Sequence, residues 1–124
     1  MTDFPRTMVG GVSMPRLLVG TNWFLGYSHT SRAQDKFIKD LQTRERMADI
    51  LTVFAEAGVD AVQLFDTWAG ILSPEDFARF ALPAYRRIFA ALAHTGVPRI
   101  LFLKGCAPYL EMMNTSGADV IGLD

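Results

Sequence analysis

An α/β fold built as a partial (βα) barrel is what this sequence predicts, on three observations. Short apolar, β-branched runs alternate with longer stretches of helical periodicity. Gly58, Gly96 and Gly117 each stand between a helical stretch and the strand that follows it. The strands read as continuous apolar runs, the pattern of a parallel sheet with both faces covered. Strand-helix alternation of this kind requires parallel strands joined by right-handed crossovers, here about four of them.

The elements follow in order. Residues 1–13 read as a loose lead-in containing Pro5, Gly10 and Gly11. Arg16–Val19 reads as a first strand closed by Gly20, followed by a polar-aromatic loop over Thr21–Ser31. Ser31 is placed to cap a short helix over Ala33–Leu41. Thr43 starts a clearer helix, in which Met47, Ile50, Leu51, Phe54 and Ala57 share one face. Arg46 stands where a capping box would place an acid or amide, so no such box forms. Gly58 suits that helix's end. The second strand is Val59–Phe65, and the next helix runs from Pro74 to His94 with Phe77, Phe80, Ala81, Ile88, Phe89 and Leu92 as its stripe. Pro83 predicts a kink or break near Ala81–Leu82. A third strand over Ile100–Leu103, a helix over Pro108–Asn114 and a fourth strand over Asp119–Leu123 complete the series.

Four such strands are half of an eight-stranded barrel. A curled sheet would leave its concave face, read here as Val62, Leu64, Leu101 and Leu103 in some alternation, open to water, and both edges unpaired. Two remedies exist. The sheet can flatten with helices on both faces, or two copies can pair edge to edge as a homodimer that closes the barrel. Self-association is favoured, because the strand-four edge is hydrophobic; a fragment unstable by itself is the third case.

The 124 residues suffice for one domain, and half are hydrophobic with a fifth charged, a globular balance. The formal net charge of −1 offers no basic field for nucleic acid or an acidic membrane. The N-terminus lacks the apolar run of a secretion signal, and no stretch is long enough to span a bilayer. Cys106 is the sole cysteine, so an internal disulfide is excluded, a thiolate metal site is disfavoured and a cytoplasmic location fits. No His/Cys/Asp/Glu spacing suggests a metal site, and Gly20-Thr21-Asn22 lacks a phosphate-loop pattern. Tyr85-Arg86-Arg87 reads as a solvated helix face.

The richest stretch is Gln63-Leu64-Phe65-Asp66-Thr67-Trp68-Ala69-Gly70, followed by Ser73-Pro74-Glu75-Asp76. It reads as a buried strand, a polar turn and a helix start in which Ser73 caps, Pro74 takes the first position and Glu75 and Asp76 suit the positive end. Asp66, Thr67 and Trp68 thus sit at a strand's carboxyl end, where α/β folds place their chemistry.

With Leu72-Ser73-Pro74-Glu75-Asp76-Phe77, Phe80-Ala81-Leu82-Pro83, Ile100-Leu101-Phe102-Leu103-Lys104-Gly105 and Gly117-Ala118-Asp119-Val120-Ile121-Gly122-Leu123-Asp124, this stretch resembles the uroporphyrinogen decarboxylase family over about Ala55–Asp124. The resemblance corresponds to the middle of a (β/α)8, or TIM, barrel, hence a half TIM barrel here. It implies conversion of uroporphyrinogen to coproporphyrinogen without a cofactor. The arginine-rich opening segments, the key aspartate and the histidine loop of that family have no match here. Leu17–Ser31 looks like the start of a different barrel protein, which places a join of two parents near 57–62 and suggests a recombined or fragmentary chain.

For Thr67 the resemblance implies a hydroxyl that contacts substrate; the residue type favours a bond to the turn backbone. Asp66 either stabilises cationic pyrroles or serves as a turn aspartate. Trp68 either stacks on a flat ligand or packs under the next helix. Lys104 either meets a carboxylate or snorkels at the sheet edge. A substrate with many carboxylates needs several cations, and Arg32, Lys36, Lys39 and Lys104 are the ones near the carboxyl-end loops. His29 is a weaker acid/base candidate and His94 reads as structural. Three functions emerge: a uroporphyrinogen decarboxylase-like chain with little activity by itself; a scaffold or binding module using Trp23, Phe24 and Tyr27; and a different barrel enzyme, which would need His29 and Asp66 to converge in one cavity.

Overall fold

A computed structural model describes residues 4–20, 22 and 26–124. It divides into two compact units, one within Met1–Pro5 and Pro15–Val59, the other comprising Arg6–Met14 and Asp60–Asp124.

The first unit holds two helices, α1 (Arg32–Leu41) and α2 (Arg44–Glu56). Ser31 and Thr43 cap them as their sequence positions predict, each accepting from the amide three residues on (Gln34 and Arg46). Gly58 takes φ +80° just past α2, a conformation that favours glycine. The Arg16–Val19 strand does not form: those residues are irregular, and Leu18 is 54% exposed. A strand needs a partner to satisfy its backbone; the Arg16 amide bonds the Pro5 carbonyl at 2.9 Å, and no strand among the described residues pairs with the run beyond it. Thr21, Trp23 and Phe24 of the aromatic loop lie outside the described residues. Tyr27 is exposed, with the Lys39 ammonium 5.3 Å from its ring centroid.

The second unit carries the sheet. The segment read as a loose lead-in instead forms a hairpin, β1 (Arg6–Val9) and β2 (Val12–Pro15). Gly10 and Gly11, at φ +54° and +85°, supply the two left-handed residues that a tight two-residue hairpin turn needs. An Arg6–Asp60 ion pair at 2.8 Å anchors the hairpin. Among the described residues the main sheet has three strands in the order β3 (Val62–Asp66), β4 (Arg99–Leu103), β5 (Val120–Gly122), all parallel, one fewer than the sequence suggested. Leu64 pairs with Leu101 and Leu101 with Ile121, which fixes the register.

That register corrects the assignment of the two faces. Leu101 and Leu103 are fully buried beneath the helices, with Leu64 and Ile121 packed against the same cluster. The opposite face carries Gln63, Phe65, Ile100 and Phe102, where the Phe65 and Phe102 rings stack at 4.5 Å and Phe65 remains 66% exposed.

Between β3 and β4 the helix breaks where Pro83 demands it. A first turn, α3 (Pro74–Asp76), runs into a π-turn over Phe77–Ala81 and then into α4 (Leu82–Leu92). Proline cannot donate to the carbonyl four residues back; the Leu82 amide reaches back five residues to Phe77 instead. The extra residue re-phases the helix, so that Phe77, Leu82, Tyr85 and Phe89 form the buried stripe, while Phe80 and Ile88 turn outward at 58% and 42% exposure. Gly96 ends this segment at φ +70°. After β4 come a 3-10 turn (Ala107–Tyr109) and α5 (Leu110–Asn114), whose Met113 is buried with Tyr109 in the same core. No helix among the described residues is long and apolar enough to cross a membrane.

Candidate functional site

Parallel strands deliver their carboxyl ends to one edge of the sheet, and the loops that leave β3 and β4 meet there. They enclose an open cleft of about 340 Å³ lined by Thr67, Trp68, Gly70, Ile71, Lys104, Gly105 and Asp124. Thr67, Trp68 and Lys104, three of the four residues singled out in the sequence, share this cleft. Asp66 does not line it.

Asp66 is the hinge of the loop. Its Oδ1 accepts from the Trp68 amide at 2.8 Å and the Ala69 amide at 2.9 Å, and its Oδ2 accepts from the Tyr85 hydroxyl at 2.7 Å. Burial opposes its ionisation, but the Ala69 amide, the Tyr85 hydroxyl and the Trp68 amide together outweigh that and hold the carboxyl below the usual range. Tyr85 is pushed in the other direction, first by burial and then by its bond to the Asp66 carboxylate. A carboxylate with both oxygens engaged is a turn residue, which is the plainer of its two sequence readings.

The loop's far end is gripped by a second tyrosine. The Tyr109 hydroxyl donates to the Leu72 carbonyl at 2.5 Å, with the Gly70 carbonyl at 3.3 Å. Phe77 packs against both tyrosines, edge-on to Tyr85 at 5.9 Å and tilted on Tyr109 at 4.5 Å. Gly70 sits so close to β4's exit that a Cβ there would run into the Lys104 carbonyl. These features fix the backbone from Asp66 to Leu72.

Thr67 is half-buried, and with Asp66 taking the turn amides its hydroxyl makes no hydrogen bond to a described residue. Trp68 is 75% exposed, so its indole is not packed under the helix. Lys104 is exposed; its backbone amide extends the ladder to the Asp66 carbonyl at 3.0 Å, and its ammonium forms no ion pair among the described residues. Asp124 closes the cleft's third side. The Gly105 amide, then the Cys106 thiol and amide, bond its carboxylate and lower its pKa.

Tyr85, which by its place in Tyr85-Arg86-Arg87 belongs to a solvated face, is buried instead, and so is Tyr109. The signal for Tyr85 lay in Pro83: re-phasing the helix by one residue moves Tyr85 inward. For His29, the Nε2 lies 2.8 Å from the Asn22 side-chain nitrogen, and its φ of +60° is a turn conformation.

The family model described as uroporphyrinogen decarboxylase (URO-D) matches residues 34–124, a span that begins before Ala55 and includes 57–62. The chain is 42% identical over 104 residues to uroporphyrinogen decarboxylase of Nocardia farcinica, covering 77% of this chain and 29% of that one. It is 48% identical over 84 residues to the Streptomyces coelicolor enzyme of the same name, covering 64% and 24%. It is 55% identical over 69 residues to that of Rhodococcus erythropolis, covering 56% and 19%. The chain therefore spans between 19% and 29% of the length of these relatives.

Proposed function

The chain belongs to the uroporphyrinogen decarboxylase family, and from that premise we propose that it supplies one sector of a TIM-barrel decarboxylase rim, whose cleft takes a carboxylate-bearing tetrapyrrole. The Lys104 ammonium offers a point charge to one carboxylate. The Thr67 hydroxyl supplies a neutral donor beside it, and the exposed Trp68 indole gives a stacking surface for a pyrrole ring. The single observation that supports this reading is the convergence of these three side chains at the carboxyl edge of a parallel sheet.

Decarboxylation to coproporphyrinogen also needs stabilisation of a protonated pyrrole and a placed proton donor. Asp66 is committed to the turn and Asp124 to backbone amides. Asp124 also repels an incoming carboxylate. This cleft therefore binds without turning substrate over by itself. The sheet face on which Phe65 is exposed beside Phe102 fits the inner wall of a barrel. A homodimer that pairs β5 of one copy with β3 of the other continues that wall, in a reducing, cytoplasmic setting that keeps Cys106 a thiol.

Fluorescence titration with uroporphyrin, the stable oxidised form of the substrate, tests the reading. Saturable binding that weakens at least several-fold in both Thr67→Val and Lys104→Met, and is unchanged in His29→Ala, is the expected result. Binding lost in His29→Ala and kept in the other two would transfer the site to the aromatic loop. No binding at all would end the reading.

A further inference from the structure

We infer that Tyr85 is a positioning residue of the cleft: acting through Asp66, its hydroxyl fixes the loop that presents Thr67 and Trp68. The inference deepens the tetrapyrrole reading above and rests on it for the ligand alone. Tyr85 sits on α4, is 6% exposed, and spends its hydroxyl on one acceptor, Asp66 Oδ2, at 2.7 Å. The other oxygen of the same carboxylate holds the Trp68 and Ala69 amides. Thr67 lies between the residue that accepts these bonds and the residues that donate them, so its backbone pose follows the orientation of the Asp66 carboxylate.

Without Tyr85, that carboxylate can rotate about its terminal torsion, which is broad and has no strong preference of its own. The two amides would then share an acceptor that wanders. The π-turn over Phe77–Ala81 lies directly before the helix on which Leu82 and Tyr85 face the buried side with Phe77. The π-turn before Pro83 is thus linked to the pose of the cleft.

Tyr85→Phe keeps the ring and its edge contact with Phe77 and removes the hydroxyl. Amide hydrogen exchange in the full chain should quicken roughly tenfold at Trp68 and Ala69, the equilibrium equivalent of one hydrogen bond to a charged group. Exchange at Lys104, whose amide reports the β3–β4 ladder, should stay as it was. Uroporphyrin affinity should fall by a similar factor. Tyr109→Phe, which loosens the opposite end of the loop, should leave the Trp68 and Ala69 amides unaltered. A second variant, Asp66→Asn, keeps an oxygen for the amides and changes the partner offered to Tyr85; the double variant with Tyr85→Phe should be no looser than the looser single one.

Unchanged exchange at Trp68 and Ala69 in Tyr85→Phe would overturn the inference. So would faster exchange with uroporphyrin affinity left intact. If the unaltered chain does not bind uroporphyrin, the tetrapyrrole reading fails. The role of Tyr85 then stands or falls on the exchange result.

Discussion

Asp66 and Asp119 are both carboxylates held below their usual range, by different means. At Asp66, amides and the Tyr85 hydroxyl overcome burial. At Asp119 the Arg99 guanidinium dominates, through a 2.8 Å ion pair. Each binds protons less readily folded than unfolded, so each contributes stability that is complete above the unfolded carboxylate range, about pH 4. That contribution drains away as pH falls through the lower folded values. Melting temperature measured from pH 7 down to pH 2 should stay level and then drop below about pH 4, and Asp119→Asn should make that drop shallower. Gly70 yields a second expectation at this scale. Because a Cβ there meets the Lys104 carbonyl, Gly70→Ala should destabilise by about 1–3 kcal/mol in urea unfolding, as overpacking does. Thr67, Trp68 and Lys104 were legible from their place after a strand. Tyr109 was not, because a buried hydroxyl leaves no mark on hydrophobic periodicity, and Tyr85 was signalled only indirectly, by the break at Pro83.

Pro83 shows what the chain reveals at the scale of an element. Its missing amide announces a break near Ala81–Leu82, and the break is there, but the form it takes is decided by packing. Phe77 and Leu82 are five residues apart, and both are buried only if the helix widens by one residue between them. That is why Phe80 and Ile88 left the expected stripe. If packing holds the π-turn, Pro83→Ala should change stability by less than about 1 kcal/mol, whereas Leu82→Ala should cost about 2–5 kcal/mol in the same urea assay. The hairpin was hidden for an opposite reason: Gly10-Gly11 looks like looseness until strands flank it. Arg16–Val19 has a strand's composition but no partner strand among the described residues, and pairing rather than propensity makes a strand.

At the scale of the whole molecule, parallel order and crossover connection were legible in the alternation of strands and helices, with Gly58, Gly96 and Gly117 as punctuation. The two faces of the sheet were not, because a run such as Ile100-Leu101-Phe102-Leu103 is apolar on both sides and its period carries no direction. In this sheet β3 and β5 are edge strands, and Phe65 is exposed beside Phe102. If a second copy completes the wall, light scattering behind size exclusion should give twice the chain mass at micromolar concentration, and Phe65→Lys should shift the species toward the single chain; a monodisperse monomer would reject closure by pairing. The cleft's claim is tested most directly by amide chemical-shift mapping during uroporphyrin titration. Perturbations should centre on residues 67–71 and 104–106. Shifts confined to residues 93–99 at the opposite edge of the sheet, or none at saturating uroporphyrin, would contradict it.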